Sequence, residues 1–316
     1  MTNQDRPARP GRAPLARVFL WALTSMVAGR AHAGDGPPTP TPSLARAEPE
    51  PSPPRRVLRI SADPNNLPFT NERREGFENK IAELVARELD ADLHYIWRAQ
   101  RRGFFRSSLK EGESDLVLGV PAGFDPALTT APYYRSSYVF VSRKDRDSQV
   151  RSLDDPALRR LKIGVQLIGD DGTNTPPAHA LASRGLVENV VGYTVYGDYA
   201  RESPPARIVE AVAAGDVDIA VVWGPLAGYF ARRGGVALAI VPVAPEVDPS
   251  GLPFAFDICM GVRKGDKPLR DELDQVLARR REEIGKILDE FGIPRQPPAR
   301  PGAERAERGR TDAGKK

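Results

Sequence analysis

The chain has 316 residues, of which 40% are hydrophobic and 28% charged, and it carries a formal net charge of +4. That length is enough for two modest lobes with buried cores. A single cysteine excludes an internal disulfide, a CxxCH haem attachment and a cysteine-rich zinc site, and three scattered histidines (His32, His94, His179) give no metal-ligand spacing and no Ser/His/Asp set.

The N-terminus comes first. Arg6, Arg9, Arg12 and Arg17 precede an apolar run from Val18 to Ala28, which ends in the small-x-small triplet Ala31-His32-Ala33. Residues 1–33 therefore have the pattern of a secretory signal peptide, and the run is too short to span ~30 Å of hydrocarbon. The expectation is a periplasmic protein, exported across the inner membrane and not stably inserted in it after cleavage. Residues 1–33 hold five of the 46 basic side chains and one of the 42 acidic ones, so 41 of each remain. The positive excess lies outside the fold, and no nucleic-acid partner is expected. Residues 34–56 form a Pro-rich linker that cannot bury a core and favours extended conformations. Residues 295–316, rich in Arg, Pro, Gly and Lys, read as a disordered tail.

Between these flanks strand and helix signals alternate, the mark of an α/β architecture. Val57–Ala62 reads as a strand that breaks at Asp63-Pro64. Phe77 to Leu89 has helical periodicity, with Phe77, Ile81, Leu84, Val85 and Leu89 on one face. Leu93–Trp97 is a strand, Gly103–Lys110 a short helix, Leu116–Val120 a buried strand, and Tyr138–Val141 another. A second unit follows with strands at Leu161–Val165, Val190–Val195, Asp218–Trp223 and Leu238–Val243. Its helices are Ala178–Arg184, Pro204–Ala214 and one from Pro225 to Arg232. Phe254–Val262 is a further strand, and one long helix is expected from Pro268 to Phe291. GESDLVLGVPAGF and GDVDIAVVWGPLAGYF echo each other, each a turn, an Asp, a buried strand, then Gly and Pro. Two similar halves predict a cleft at the carboxyl ends of the strands, gathering the loops after Ile60, Val120, Val165 and Trp223.

Those loops supply the candidate binding residues. The first holds Asp63, Asn65, Asn66, Pro68 and Phe69, read either as a ligand or partner loop or as a rigid turn. Trp97, Gln100, Arg101, Arg102 and Phe104 mix aromatic and basic character, as an anion site or a protein contact would. A solvated basic turn is the plainer reading. Pro121 ends the central strand. Tyr133 and Tyr134 either line the cleft or pack the hinge. Gln166, Asp171, Thr173 and Asn174 sit in a Gly-rich strand-to-helix loop lacking the Gly-Lys-Ser/Thr ending of a P-loop. Trp223, Gly224 and Pro225 follow the last paired strand. No catalytic set, cofactor or metal site is expected. Asp170, Asp171, Asp198 and Glu202 read as surface acids, His179 as a capping or exposed residue, and Cys259 as a small buried hydrophobe.

The strings ADPNNLPFTNERREGFENKIAELVARELDADLHYIWRAQRRGFFRSSL, GVPAGFDPALTTAPYYRSSYVFVSR, GVQLIGDDGTNTPPAHAL, YTVYGDYARESPPARIVEAV and VDIAVVWGPLAGYFA carry a resemblance. They resemble the MoxJ/XoxJ-like binding proteins encoded with quinoprotein alcohol dehydrogenases, within the bacterial extracellular solute-binding family 3. The resemblance covers nearly all of residues 57–294. It implies a two-lobed type II periplasmic binding protein with a hinge and an interlobe cleft, lobe one being 57–142 plus 246–294 and lobe two 143–245. It also implies association with a PQQ-dependent methanol dehydrogenase, often the lanthanide-using kind, and its cytochrome, in assembly or activation. Amino-acid receptors of this fold hold a carboxylate with an Arg after the central strand and an ammonium with an acid in lobe two. Here no Arg stands between Pro121 and Tyr134, and Trp223-Gly224-Pro225 occupies the other position. A transporter receptor for a small molecule that is not an ordinary amino acid is the alternative reading. An enzyme of the prephenate-dehydratase kind is a third, for which no acid paired with a base is visible.

Overall fold

The computed structural model describes residues 55–101, 103–146, 148–168, 174–194 and 199–297. The expected signal peptide, nearly all of the Pro-rich linker, and the tail beyond Pro297 lie outside the described residues.

The first strands and helix are β1 (Arg56–Ala62), β2 (Asn65–Asn66), β3 (Thr70–Asn71), α1 (Phe77–Glu88) and β4 (Ala91–Trp97). Then come β5 (Leu116–Pro121), β6 (Leu128–Thr129), β7 (Tyr134–Arg143), β8 (Ile163–Leu167), α2 (Pro176–Ser183) and β9 (Val190–Thr194). α3 (Arg207–Ala214), β10 (Ile219–Trp223), α4 (Gly224–Ala231), β11 (Leu238–Pro242), β12 (Ala255–Val262), α5 (Lys267–Arg279) and α6 (Arg281–Glu290) complete the order.

The main sheet runs β4-β1-β5-β12-β7-β10-β8-β9, with β11 also on β7 and β6 on β12. β1 pairs in parallel with β4 and β5, and β8 in parallel with β9 and β10. Strand β7 joins the two regions. Its Tyr134–Ser137 part pairs with β12, and its Tyr138–Ser142 part pairs with β10. The result is the two-lobed α/β architecture read from the alternating pattern, with β7 as the crossing strand.

The first lobe buries the inner stripe of α1 (Phe77, Ile81, Leu84, Val85) against Leu58, Ile60, Leu116, Met260 and Val262, and against Leu273, Val276, Ile284 and Leu288 from the last two helices. The 3.6-residue spacing puts the α1 side chains on one face. Asn79 fixes the helix start, its Oδ1 accepting from Gly76 N at 3.0 Å and Asn71 N at 3.2 Å. Gly76 is required there, because a Cβ would come 2.0 Å from the Phe69 carbonyl oxygen. In the second lobe the sheet is covered on both faces. Leu158, Ile163, Leu181, Val221 and Phe254 pack on one side, and Val139, Val141, Ile208, Val212, Val222 and Leu226 on the other. Two-sided burial explains the uninterrupted apolar run of β10.

Three details differ from the pattern reading. The expected long helix from Pro268 is two helices, broken at Arg280, whose backbone lies at φ −104° and ψ 15°. Arg279-Arg280-Arg281 contains no Gly or Pro, so the periodicity runs through the break. The Arg280 guanidinium is held by Glu88 on α1 at 2.6 Å, and both helices bury their stripes in the first core. The 103–110 segment contains a wide π turn over Arg106–Lys110. The short strands β2, β3 and β6 were not legible as strands.

Candidate functional site

The carboxyl ends of β1, β5, β8 and β10 surround a cavity of about 300 Å³. Seven aromatic side chains stand in its walls: Phe69, Tyr95, Phe104, Tyr134, Tyr138, Trp223 and Phe256. Tyr138, Trp223 and Phe256 meet edge to face, with centroids 5.3–6.5 Å apart. Among the described lining residues there is no Lys, Arg or His.

The first loop clasps the opposite lobe. Asp63 is buried, and its Oδ1 accepts from Asn65 N at 2.9 Å. Its Oδ2 accepts from Gln100 N at 2.8 Å and from the Tyr199 hydroxyl at 2.6 Å. Burial and the neighbouring Asp63 push the Tyr199 hydroxyl well above its ordinary range. Asn65 Nδ2 donates to Arg201 O at 2.7 Å, and Ser203 N donates to Asn65 Oδ1 at 3.2 Å. Arg73 pairs with Glu202 at 2.9 Å, and the Arg101 guanidinium lies 5.2 Å from the Tyr199 ring centre. Asp63 thus works both as a turn acceptor and as an interlobe anchor.

Across the cleft, Gln166 is buried and accepts from Trp223 N at 2.9 Å through Oε1. Thr175 caps α2 and donates from Oγ1 to Gln166 O at 2.6 Å. Asn174 Oδ1 accepts from Thr175 N at 3.2 Å. These bonds hold the β8 loop and β10 end in fixed relation.

One acid stands apart. Glu78 lies in the first turn of α1, 6% exposed, and lines the cavity. The Tyr133 hydroxyl donates to its Oε1 at 3.3 Å and itself accepts from Gly119 N at 3.2 Å. Gly119 has φ +74°, and a Cβ there would come 2.6 Å from Glu78 Oε1. Burial without a neighbouring cation pushes the Glu78 carboxyl up to about 8, and the Tyr133 hydrogen bond offsets only part of that rise.

Of the candidate residues, Asp63, Asn66, Phe69, Gln100, Phe104, Pro121, Tyr134, Gln166 and Trp223 line the cavity. Asn65 and Arg101 instead serve the interlobe clasp. Trp97 stacks on Tyr95 at 4.5 Å, and Tyr133 stands behind the lining on Glu78. Pro68 is structural, its carbonyl accepting from Phe77 N at 2.8 Å. Asn174 supports the α2 cap. Gly224 and Pro225 begin α4, and Gly224 passes so close to β7 that a Cβ would lie 2.7 Å from Ser137 O. Arg102, Asp171 and Thr173 lie outside the described residues, as do Asp170 and Asp198. His179 is exposed on α2, and Glu202 is a surface acid paired with Arg73. Cys259 is fully buried on β12, and burial pushes its thiol up to about 12.

Pattern reading missed Glu78, Tyr95, Phe256 and Tyr199. Glu78 and Ala82 are spaced i, i+4 and both reach the cavity, so a second inward face beside the Phe77 stripe was the available signal. Beside the cavity a broader groove of about 950 Å³ is lined by Phe104, Phe105 and Phe124 with Arg101, Arg106, Lys110 and Lys264.

Two α/β lobes joined by a crossing strand, with a half-open cavity where the strand ends meet, define a type II periplasmic binding-protein fold. The chain belongs to the MoxJ family: it is 31% identical over 253 residues to protein MoxJ of Methylorubrum extorquens, covering 77% of this chain and 82% of that one. Among solved structures it is similar to the periplasmic binding protein XoxJ from Methylobacterium extorquens, with 35% identity and a TM-score of 0.62 over 76% of this chain and all of that one. It is similar also to MxaJ from Methlophaga aminisulfidivorans, with 25% identity and a TM-score of 0.63 over the same share of this chain and all of that one. No protein-family model matches the chain. No helix among the described residues is long and apolar enough to cross a membrane.

Proposed function

We propose that the protein is a periplasmic accessory binding protein that associates with a PQQ-dependent methanol dehydrogenase of the lanthanide-using kind, and with its cytochrome. It aids assembly or activation of the enzyme and acts by binding, without turnover of its own. The observation that carries this reading is kinship along the whole fold: the match to MoxJ covers 82% of that chain. The groove beside the cleft, lined by buried and half-buried aromatic side chains and by basic ones, supports a protein contact, since aromatic and Arg side chains are favoured at interface centres. The lobes are taken as 57–142 plus 246–294 and as 143–245, with Val139, Val141 and Phe254 at the crossings packing into the second core, and the Pro-rich 34–56 segment serves as a tether.

Co-purification from a periplasmic extract tests the association. The dehydrogenase is expected to elute with the tagged protein, and its activity is expected to fall in a deletion strain. Absence of a complex together with unchanged activity overturns the reading. A small-solute receptor for a transporter is the second reading, favoured by the 300 Å³ cavity. The described cavity lining has no cation to hold a ligand carboxylate, which counts against an ordinary amino acid in it.

A further inference from the structure

The cavity holds two polar groups that the fold does not use up. Ser61 Oγ, on β1, is buried without a hydrogen-bond partner among the described residues and lines the wall. Glu78 has a single side-chain hydrogen-bond partner among the described residues, the Tyr133 hydroxyl on Oε1. A buried polar atom in an apolar setting costs free energy unless a partner arrives. The sequence keeps room for this carboxyl, because Gly119 yields the space that any Cβ would take from it.

The surroundings say what partner would fit. The groups facing Glu78 are Tyr133 and Tyr134 from the hinge and Tyr95 from β4, with Asp63 on the same wall. Arg74 lies over Tyr95 from an exposed position and is not part of the lining. Asp63 already accepts three hydrogen bonds, so Glu78 is the acid left to serve a ligand. Among the described lining residues an anion entering would meet two acids and no cation. A cation would meet a carboxyl and several aromatic faces, the combination that recognises ammonium groups.

We propose that the interlobe cavity binds a small organic cation, an alkyl- or arylalkylammonium, with its charged end on the Glu78 carboxylate and its apolar part against Phe69, Trp223 and Phe256. This goes beyond the association with a dehydrogenase and does not depend on it.

Glu78 is protonated below about pH 8 in the empty cavity. Binding an ammonium favours the ionised carboxylate and so releases a proton below that pH. Affinity then rises about tenfold per pH unit toward pH 8 and levels off above it. A ligand accepting a hydrogen bond from the neutral acid would behave in the opposite way, losing affinity as pH rises.

Titration calorimetry of the protein with n-butylammonium, butan-1-ol and butyrate, at about pH 6 and pH 8, tests this. Butylammonium is expected to bind more tightly at the higher pH, with close to one proton released at the lower pH in buffers of different ionisation enthalpy. The Glu78→Gln protein is expected to lose about tenfold or more of that affinity and all of the proton release. The alcohol is expected to bind more weakly, and butyrate not at all. The proposal is overturned if the alcohol binds as well as the ammonium, if affinity falls between pH 6 and pH 8, or if no ammonium binds. The proton count is taken on the unaltered chain, so it decides even if the variant folds poorly.

Discussion

Glu78 has a consequence for stability as well as for binding. Its carboxyl moves from an ordinary 4.5 to about 8 in the folded protein, so the fold holds that proton more tightly than the unfolded chain does. The stability it contributes is complete below about pH 4.5 and is lost as pH rises through 8, at about 1.4 kcal/mol per unit between them. Glu78→Gln keeps the shape and removes the titration. The variant is expected to melt above the unaltered protein at pH 7 to 8, with the gap closing near pH 5; thermal melts across that range check it. Cys259 makes a simpler case. Fully buried, with its thiol pushed up to about 12, it is expected to resist a thiol reagent in the native protein and to react fully in denaturant. The sequence pattern was enough for Cys259, because an apolar strand run buries its members whatever their type. It was not enough for Glu78, since an acid in the first turn of a helix ordinarily reads as a solvated partner of the helix dipole.

At the scale of elements, α4 depends on close backbone approach. A Cβ on Gly228 would come 2.1 Å from the Gly292 carbonyl oxygen and 2.7 Å from Pro294. Gly228→Ala must therefore push α4 off the segment that follows α6. The expected loss is about 1–3 kcal/mol, read as a lower urea midpoint. Strand and helix positions were largely legible because two-sided burial in the second lobe and the α1 stripe leave strong periodic signals. The break at Arg280 was not, because nothing local marks it: it serves packing against α1, a distant element. The strands β2, β3 and β6 have two residues each, too short to show alternation.

At the scale of the whole molecule, the clasp between Asp63–Asn65 and Tyr199–Ser203 holds the lobes closed around the cavity. Tyr199→Phe removes the 2.6 Å bond to Asp63, and Asn65→Ala removes both bonds to the facing backbone. The double variant is expected to lose about 2–3 kcal/mol of closure, by the usual worth of such bonds. Small-angle X-ray scattering checks it: a larger radius of gyration with unchanged circular dichroism is the expected result. The cavity's general place was legible, since strand ends predicted it and nine of the candidate residues reach it. The clasp was not, because Tyr199 is distant in sequence from Asp63 and lies in a segment without regular pattern.

Strand β7 is shared by both lobes, and the last described residues fasten onto it. Ser136 Oγ donates to Pro294 O at 2.7 Å, and Gln296, at the start of the expected tail, donates from its backbone N to Arg135 O at 2.9 Å. The first core draws on Leu58 to Tyr134 and again on Ile258 to Ile293, with Tyr229 of α4 added to them, while strands β8 to β11 come from one unbroken stretch between them. During synthesis that middle stretch can find its partners among its neighbours. The lobe that encloses Glu78 must wait, half made, until nearly the last turn of the chain has emerged to close it.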